Sequence, residues 1–342
     1  MMVSIRDIAR MATVSPASVS RILNNDPTFS INDNTRQRVI EIANRMHYSK
    51  EASKKGPRYN HDSMSIGLIL RHNLESELRD PYFHEIRRGI EHEAAKWRMR
   101  VVKVFGMRDS DKDWDQLSQF GAVIMVGEMT QPAIDKITAL NSNLILVDSY
   151  VKHAGVDVIR TDFAEKTADI LTKLYMYGHR KIAFVGGESS IVRPDGSVVR
   201  DENEIRAVSY RNWMKLHDLP AVAKIGHWTA EDGMQLTRQI LAQPTRPTAI
   251  VVASDPMAMG VYKAINNAGL RIPEDISIVS FDDVEMNQYL VPALSSVRME
   301  AEEMGRTAVK LARDRMIEPH KMVLHLVCGS QLMLRESVKK LG

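Results

Sequence analysis

Acidic and hydroxyl side chains recur in this chain at one kind of place, directly after short apolar runs. Asp148 follows the run 144–147, Gly186 and Gly187 follow 182–185, Ser254 and Asp255 follow 249–252, and Asp282 and Asp283 follow 276–281. A long polar stretch, 188–201, reads as a loop just before an amphipathic segment carrying Arg206. Carboxylates and a guanidinium fork pair with vicinal hydroxyls, and an indole such as Trp228 covers the apolar face of a ring. This combination predicts a sugar-binding site. The other reading of a strand-end aspartate is the N-cap of the following helix, and it applies above all to Asp255 and Asp283.

A second chemistry lies near the N-terminus. Pro16, Ala17, Ser18 and Arg21 fall on the polar side of a short helical pattern whose other side is Val19, Ile22 and Leu23. Small and hydrogen-bonding residues on one exposed helix face can approach the edges of base pairs, and an arginine there can form a bidentate contact with guanine. Charge agrees. Residues 1–60 hold 10 Lys+Arg against 5 Asp+Glu, whereas the rest hold 36 against 38, within a chain total of +3. A basic head on a near-neutral body is the asymmetry of a nucleic-acid reader with a second task.

The elements that must position these groups follow from periodicity. Ile5, Ile8, Ala9 and Ala12 make one apolar face behind Ser4 and Asp7, a capping-box spacing. Thr13 and Val14 form a tight turn, and Ser15 caps a second helix that Pro16 opens. Asn34 opens a third helix, with Val39, Ile42, Ala43 and Met46 inward. Three short helices with so tight a first turn predict a helix-turn-helix head over 1–48. A basic, helix-breaking linker follows at 49–63, with Lys50, Lys54, Lys55, Gly56, Pro57 and Arg58. Beyond it, strand-like runs at 66–70, 101–105, 122–126, 144–147, 182–185, 249–252 and 276–281 alternate with helix-length stretches. That alternation predicts parallel sheets covered by helices on both faces, and its length predicts two lobes facing across a cleft.

Composition removes several alternatives. The chain has 342 residues, 44% hydrophobic and 26% charged, which suits two or three globular domains. No run approaches the roughly 18 apolar residues of a membrane span, and no apolar signal segment stands at the start. A single cysteine, Cys328, excludes an internal disulfide framework and suits a reducing cytoplasm. There is no Gly-rich Lys-Ser/Thr phosphate loop and no Cys-x-x-Cys pair. His84-Glu85 and His92-Glu93 begin like a zinc-protease motif, but the fifth positions are Arg88 and Lys96. No catalytic residue, metal or cofactor is expected. A sugar-processing enzyme would need an acid–base pair in the cleft, which only Asp148 and Asp282 could nominally supply.

Motifs spread along the whole chain resemble the lac-repressor (LacI/GalR) family of transcription regulators. They include Ile5-Arg6-Asp7-Ile8-Ala9, Val19-Ser20-Arg21-Ile22-Leu23-Asn24, Asp80-Pro81-Tyr82-Phe83, Gly178-His179-Arg180-Lys181-Ile182, Pro273-Glu274-Asp275-Ile276-Ser277 and Phe281-Asp282-Asp283. The resemblance implies an all-α helix-turn-helix head and an α/β two-lobed, periplasmic-binding-protein-like core of two doubly wound parallel sheets. It places the first lobe at about 64–160 plus 293–325 and the second at about 161–292 plus 326–342. It implies a homodimer on a pseudo-palindromic operator, with a small sugar between the lobes. The base-reading positions it implies are Pro16, Ala17 and Arg21, and the DNA-binding set expected with them adds Ser4, Ser15, Ser18, Ser20 and Asn24, with Lys54 and Lys55 through their charge. The effector-binding set is Tyr82, Phe83, Asp148, Arg206, Trp228, Ser254 and Asp282. Within the family, Glu77-Leu78, Val185-Gly186-Gly187-Glu188 and Ile205-Arg206 most resemble repressors of galactose or β-galactoside operons, including the evolved-β-galactosidase type. Another sugar, a sugar phosphate or a transport-type sugar-binding protein are the alternatives. Two departures stand out: Ser53-Lys54-Lys55-Gly56 replaces the Leu-bearing hinge helix of the family, and no leucine heptad closes the chain at Gly342.

Overall fold

Among the described residues of the head, eight apolar side chains are buried together. In the computed structural model, which describes residues 5–23, 29, 31–45, 64–71, 80–150, 153, 155–318 and 322–341, the chain divides into two compact units, Met1–Asn60 and His61–Gly342. The first contains α1 (Ile5–Ala12), α2 (Pro16–Leu23) and α3 (Asp33–Arg45). Thr13 takes a left-handed backbone (φ 55°), and the Val14 amide donates to the Ala9 carbonyl at 3.1 Å, so the turn after α1 is as tight as its two residues require. Ser15 Oγ accepts from the Ser18 amide at 3.0 Å and caps α2. The Asn32 side chain accepts from the Asn34 amide at 2.9 Å, so α3 starts one residue ahead of the Asn34 expected from sequence. Ile8, Ala9, Ala12, Val19, Ile22, Val39, Ile42 and Ala43 are buried together.

The core contains two six-stranded sheets. The first is wholly parallel, in the order β13-β5-β4-β3-β1-β2, built from β1 (Ser65–Leu70), β2 (Arg100–Gly106), β3 (Ala122–Val126), β4 (Leu144–Val147), β5 (Asp157–Thr161) and β13 (His325–Cys328). The second has the order β14-β12-β11-β10-β6-β9, from β6 (Ile182–Gly187), β9 (Val222–Gly226), β10 (Ala249–Val252), β11 (Ser277–Asp282), β12 (Ser295–Arg298) and β14 (Gln331–Met333). It is parallel except for β14. Continuous burial along β1, β3, β4 and β10 accounts for their unbroken apolar runs, since a parallel strand covered on both faces has no solvent side. Strand order reverses between β1 and β3 in one sheet and between β6 and β10 in the other, the places where doubly wound sheets bind ligands.

The chain crosses between the sheets three times: from β5 into α6 (Phe163–Met176), from β12 into α10 (Ala301–Ile317), and from β13 to β14. This corrects the lobe boundaries read from sequence. Residues 295–298 belong to the second sheet, because β12 pairs with β11 from Val279↔Ser295 to Asp282↔Arg298. Residues 326–328 belong to the first, because β13 pairs with β5. Both strands are short, and β12 begins with two buried serines, so neither carried an apolar run. The stretch 188–201, expected as a loop, is an antiparallel hairpin of β7 (Ser189–Val192) and β8 (Val198–Asp201). Pro194-Asp195-Gly196 makes its turn, with Asp195 accepting from the Ser197 amide at 2.9 Å.

Candidate effector site and DNA-facing surface

A cavity of about 310 Å³ opens at the carboxyl ends of β1, β3 and β4 on one side and of β6, β10 and β11 on the other. All seven residues named from sequence as effector-binding, Tyr82, Phe83, Asp148, Arg206, Trp228, Ser254 and Asp282, line it. Tyr82 arrives on α4 (Pro81–Lys96), whose N-cap Asp80 accepts from the Tyr82 amide at 3.3 Å. The buried Tyr82 hydroxyl donates to Asp148 Oδ1 at 3.0 Å, and Tyr150 donates to the same oxygen at 3.3 Å. Asp148 leaves β4 in the left-handed region (φ 59°) and lines the cavity. Burial pushes that carboxyl up to about 7, against the opposing pull of Arg71 and the Tyr82 hydrogen bond.

Arg206 stands in the first turn of α7 (Ile205–Leu216). Its Nε donates to Glu204 Oε1 at 2.8 Å and its Nη1 to the Ala253 carbonyl at 2.8 Å. Its guanidinium lies 3.9 Å from the centre of the Phe163 ring and 4.9 Å from that of Trp228. Burial works against its charge, but Glu204 and Asp282 outweigh it and raise its pKa. Glu204 also caps α7, accepting from the Arg206 amide at 2.9 Å. Trp228 is held by its own indole, which donates to the Glu188 carbonyl at 2.9 Å. The indole lies against Gly187, where any Cβ would come within 2.3 Å of its ring. Asp282 accepts from the Asp255 amide at 3.2 Å, and burial drives its carboxyl well above the ordinary range.

Neither Asp255 nor Asp283 is an N-cap. Ser254 takes the cap position of α9 (Asp255–Asn267), and the Asp255 carboxylate turns inward. There it accepts from Ser296 at 2.8 Å, the Asn287 side chain at 2.6 Å and the Val284 amide at 2.9 Å, tying the ends of β11 and β12 together. Asp283 pairs with Arg298 at 2.9 Å and Arg335 at 2.6 Å. Sequence reasoning missed Arg71, Glu128, Tyr150, Phe163 and Glu204 in the cavity wall. It also placed a single arginine at the rim, where there are two. Arg71 and Glu128 follow β1 and β3 as Asp148 follows β4, so the same strand-end rule could have found them.

In the head, Ser15, Pro16, Ala17 and Arg21 are exposed, and Ser18 and Ser20 are half-buried along the same helix. The Arg21 guanidinium lies 5.5 Å from the Phe29 ring centre. Ser4, Asn24, Lys54 and Lys55, the linker 49–63, and Glu77-Leu78 lie outside the described residues. His92 pairs with Glu302 at 3.2 Å on the outer face of α4, and among the described residues no group of three or more His, Cys, Asp or Glu could hold a metal ion. None of the described helices is long and apolar enough to cross a membrane.

Residues 4–51 match the model of "Bacterial regulatory proteins, lacI family", and residues 171–338 match that of a "Periplasmic binding protein-like domain". The HTH-type transcriptional repressor MelR of Bacillus subtilis (strain 168) is 31% identical over 340 residues, covering 98% of this chain and 97% of that protein. The chain belongs to the lacI family of bacterial regulatory proteins. The HTH-type transcriptional regulator GalR of Streptococcus thermophilus is 30% identical over 342 residues, covering 99% of this chain and 100% of that protein. Among solved structures, the lac repressor dimer bound to operator and the anti-inducer ONPF superposes with a TM-score of 0.68 at 22% identity, over 98% of this chain and 99% of that one. This lacI-family chain is therefore a DNA-binding transcriptional regulator with the family's two-part architecture, not an enzyme.

Proposed function

We propose that this lacI-family regulator is a repressor of a sugar-utilisation operon, and that a neutral sugar, galactose or a galactoside, binds between its lobes and changes its affinity for operator DNA. The observation that carries the reading is the convergence of Asp148, Asp282, Arg206 and Trp228 on one cavity from four separate elements. Carboxyl groups and a guanidinium there meet hydroxyls in pairs, while Trp228 and Phe163 offer apolar ring faces. Seven carboxyl side chains and two guanidiniums line the cavity, which disfavours a phosphorylated or uronic ligand. The relatives named GalR favour galactose. In the head, Pro16, Ala17 and Arg21 read base edges, with Ser4, Ser15, Ser18, Ser20, Asn24, Lys54 and Lys55 completing the DNA-contacting set. The working unit is a homodimer, which a two-fold operator matches. Its contact includes the exposed apolar residues Met286, Tyr289 and Val291.

The test is a thermal-shift and calorimetric panel of sugars and sugar phosphates on the wild type and Arg206→Ala. A neutral sugar should stabilise the wild type, and the variant should lose that response. Breaking the buried Arg206–Glu204 pair should also lower the melting temperature of the unliganded variant. A sugar phosphate binding more tightly than its parent sugar, or unchanged sugar affinity in the variant, would refute the reading.

A further inference from the structure

The β7–β8 hairpin springs from the second sheet's side of the cleft but is anchored in the first lobe. The Val192 amide donates to the Glu128 carbonyl at 3.1 Å, and the Thr130 amide donates to the Val192 carbonyl at 2.9 Å. The Val192 side chain is fully buried among Met107, Met125 and Met129 of the first lobe. At the tip, Lys112 Nζ donates to the Pro194 carbonyl at 3.3 Å. Gly196, at φ 88°, passes so close to the Arg108 carbonyl that a Cβ would lie 2.9 Å from it. The hairpin thus forms one wall of the cavity, through Ser189, Ser190 and Ile191.

That wall creates a second polar cluster around Arg71, which shares Asp148 with the one around Arg206. Arg71 donates to Ser190 Oγ, lies near Glu128, and holds its guanidinium 5.9 Å from the Phe83 ring centre. Its Nε is buried with no hydrogen-bond partner among the described residues. A buried guanidinium N–H without an acceptor is costly, and a hydroxyl oxygen on a ligand would supply one. The cavity of about 310 Å³ is lined by this cluster as well as by Arg206 and Trp228.

We propose that the hairpin and Arg71 form a second sugar subsite, so that the preferred effector is a disaccharide. Its first ring lies against Trp228 and Arg206. Its second ring offers a hydroxyl oxygen to Arg71 Nε and hydroxyl protons to Glu128 and Ser190. This rests on the sugar reading of the cavity, and the test separates the two.

Titration calorimetry on the full chain, with galactose and glucose against lactose, melibiose and cellobiose, supplies the readout, which is the ratio of disaccharide to monosaccharide affinity. In the wild type at least one disaccharide should bind about tenfold or more tightly than its parent hexose, the worth of one charge-assisted hydrogen bond. Arg71→Ala and Ser190→Ala should each pull that ratio toward unity, whereas Arg206→Ala should weaken both classes. Melting curves of the unliganded variants establish that they are folded, and Ser190→Ala, the milder change, serves if Arg71→Ala does not fold. Equal binding of hexose and disaccharide by the wild type, or an unchanged ratio in Ser190→Ala, would overturn the subsite and leave the sugar reading standing. No binding of any of the five sugars would overturn both.

Discussion

In the head, eight apolar residues among those described hold three helices, and the polar surface of α2 is exposed, small and carries one arginine. In the core, the polar surface is the inside of a cavity, where Glu128, Asp148, Glu204 and Arg206 are buried. A DNA reader must meet a partner that is itself highly charged, so its cations stay in solvent and act through long-range attraction and a few base contacts. A receptor for a small polar ligand must desolvate both partners, so its charges are paired in advance: Arg206 with Glu204, Asp148 with two tyrosine hydroxyls. The same residue types thus do opposite work. In the head they set affinity through salt-screened charge, and in the core they set it through geometry that salt reaches weakly.

That contrast predicts where substitutions act. The largest effect should come from Val192→Asp, which puts a carboxylate into the apolar interior of the first lobe at a cost of several kcal/mol. Amide exchange over 189–201 should accelerate by orders of magnitude while α1 to α3 keep their protection. Equal loss of protection in the head would break the division into independently held units.

Arg21→Ala should weaken binding to a specific operator by about 1–3 kcal/mol while leaving random DNA nearly untouched, as measured by competition titration. Loss on both to the same degree would make Arg21 a phosphate contact and erase its distinction from the linker lysines.

The core should respond to pH through Asp148. Asp148 holds its proton up to about pH 7 when folded, against 3.8 for a free carboxyl. Between those values the folded state binds a proton that the unfolded state has released, so this group's contribution to stability falls as pH rises and levels off above about 7. Asp148→Asn removes the dependence. The melting temperature of the variant minus that of the wild type should therefore climb from pH 4.5 to 7 and flatten beyond. A difference independent of pH would place the titration elsewhere.

The smallest effect is expected in the linker. Replacing Lys54 and Lys55 by Ala should lower the salt slope of operator binding by up to roughly 0.9 for each lysine, with no change in effector affinity. An unchanged slope would remove those lysines from the DNA-contacting set.

Much of this molecule was legible from local pattern. The cap at Ser15 and the tight turn at Thr13 are decided by neighbours within five residues, and the buried strands β1, β3, β4 and β10 announce themselves as apolar runs. The strand-end rule placed Asp148, Ser254 and Asp282 in one cavity because a parallel strand must deliver its last residue to the same edge of the sheet. What tertiary structure alone decided depends on partners far away in the chain. The assignment of β12 and β13 to opposite sheets rests on pairings with β11 and β5, which four-residue segments do not encode by themselves. Asp255 became a strut because Ser296, Asn287 and the Val284 amide converge on it, and the stretch 188–201 became a wall of the cavity because Val192 finds an apolar pocket in the other lobe. Periodicity in sequence reports which side of an element is apolar, but the partner that covers that side is chosen by packing, and it is the covering that closed this cavity around Arg71 and Arg206.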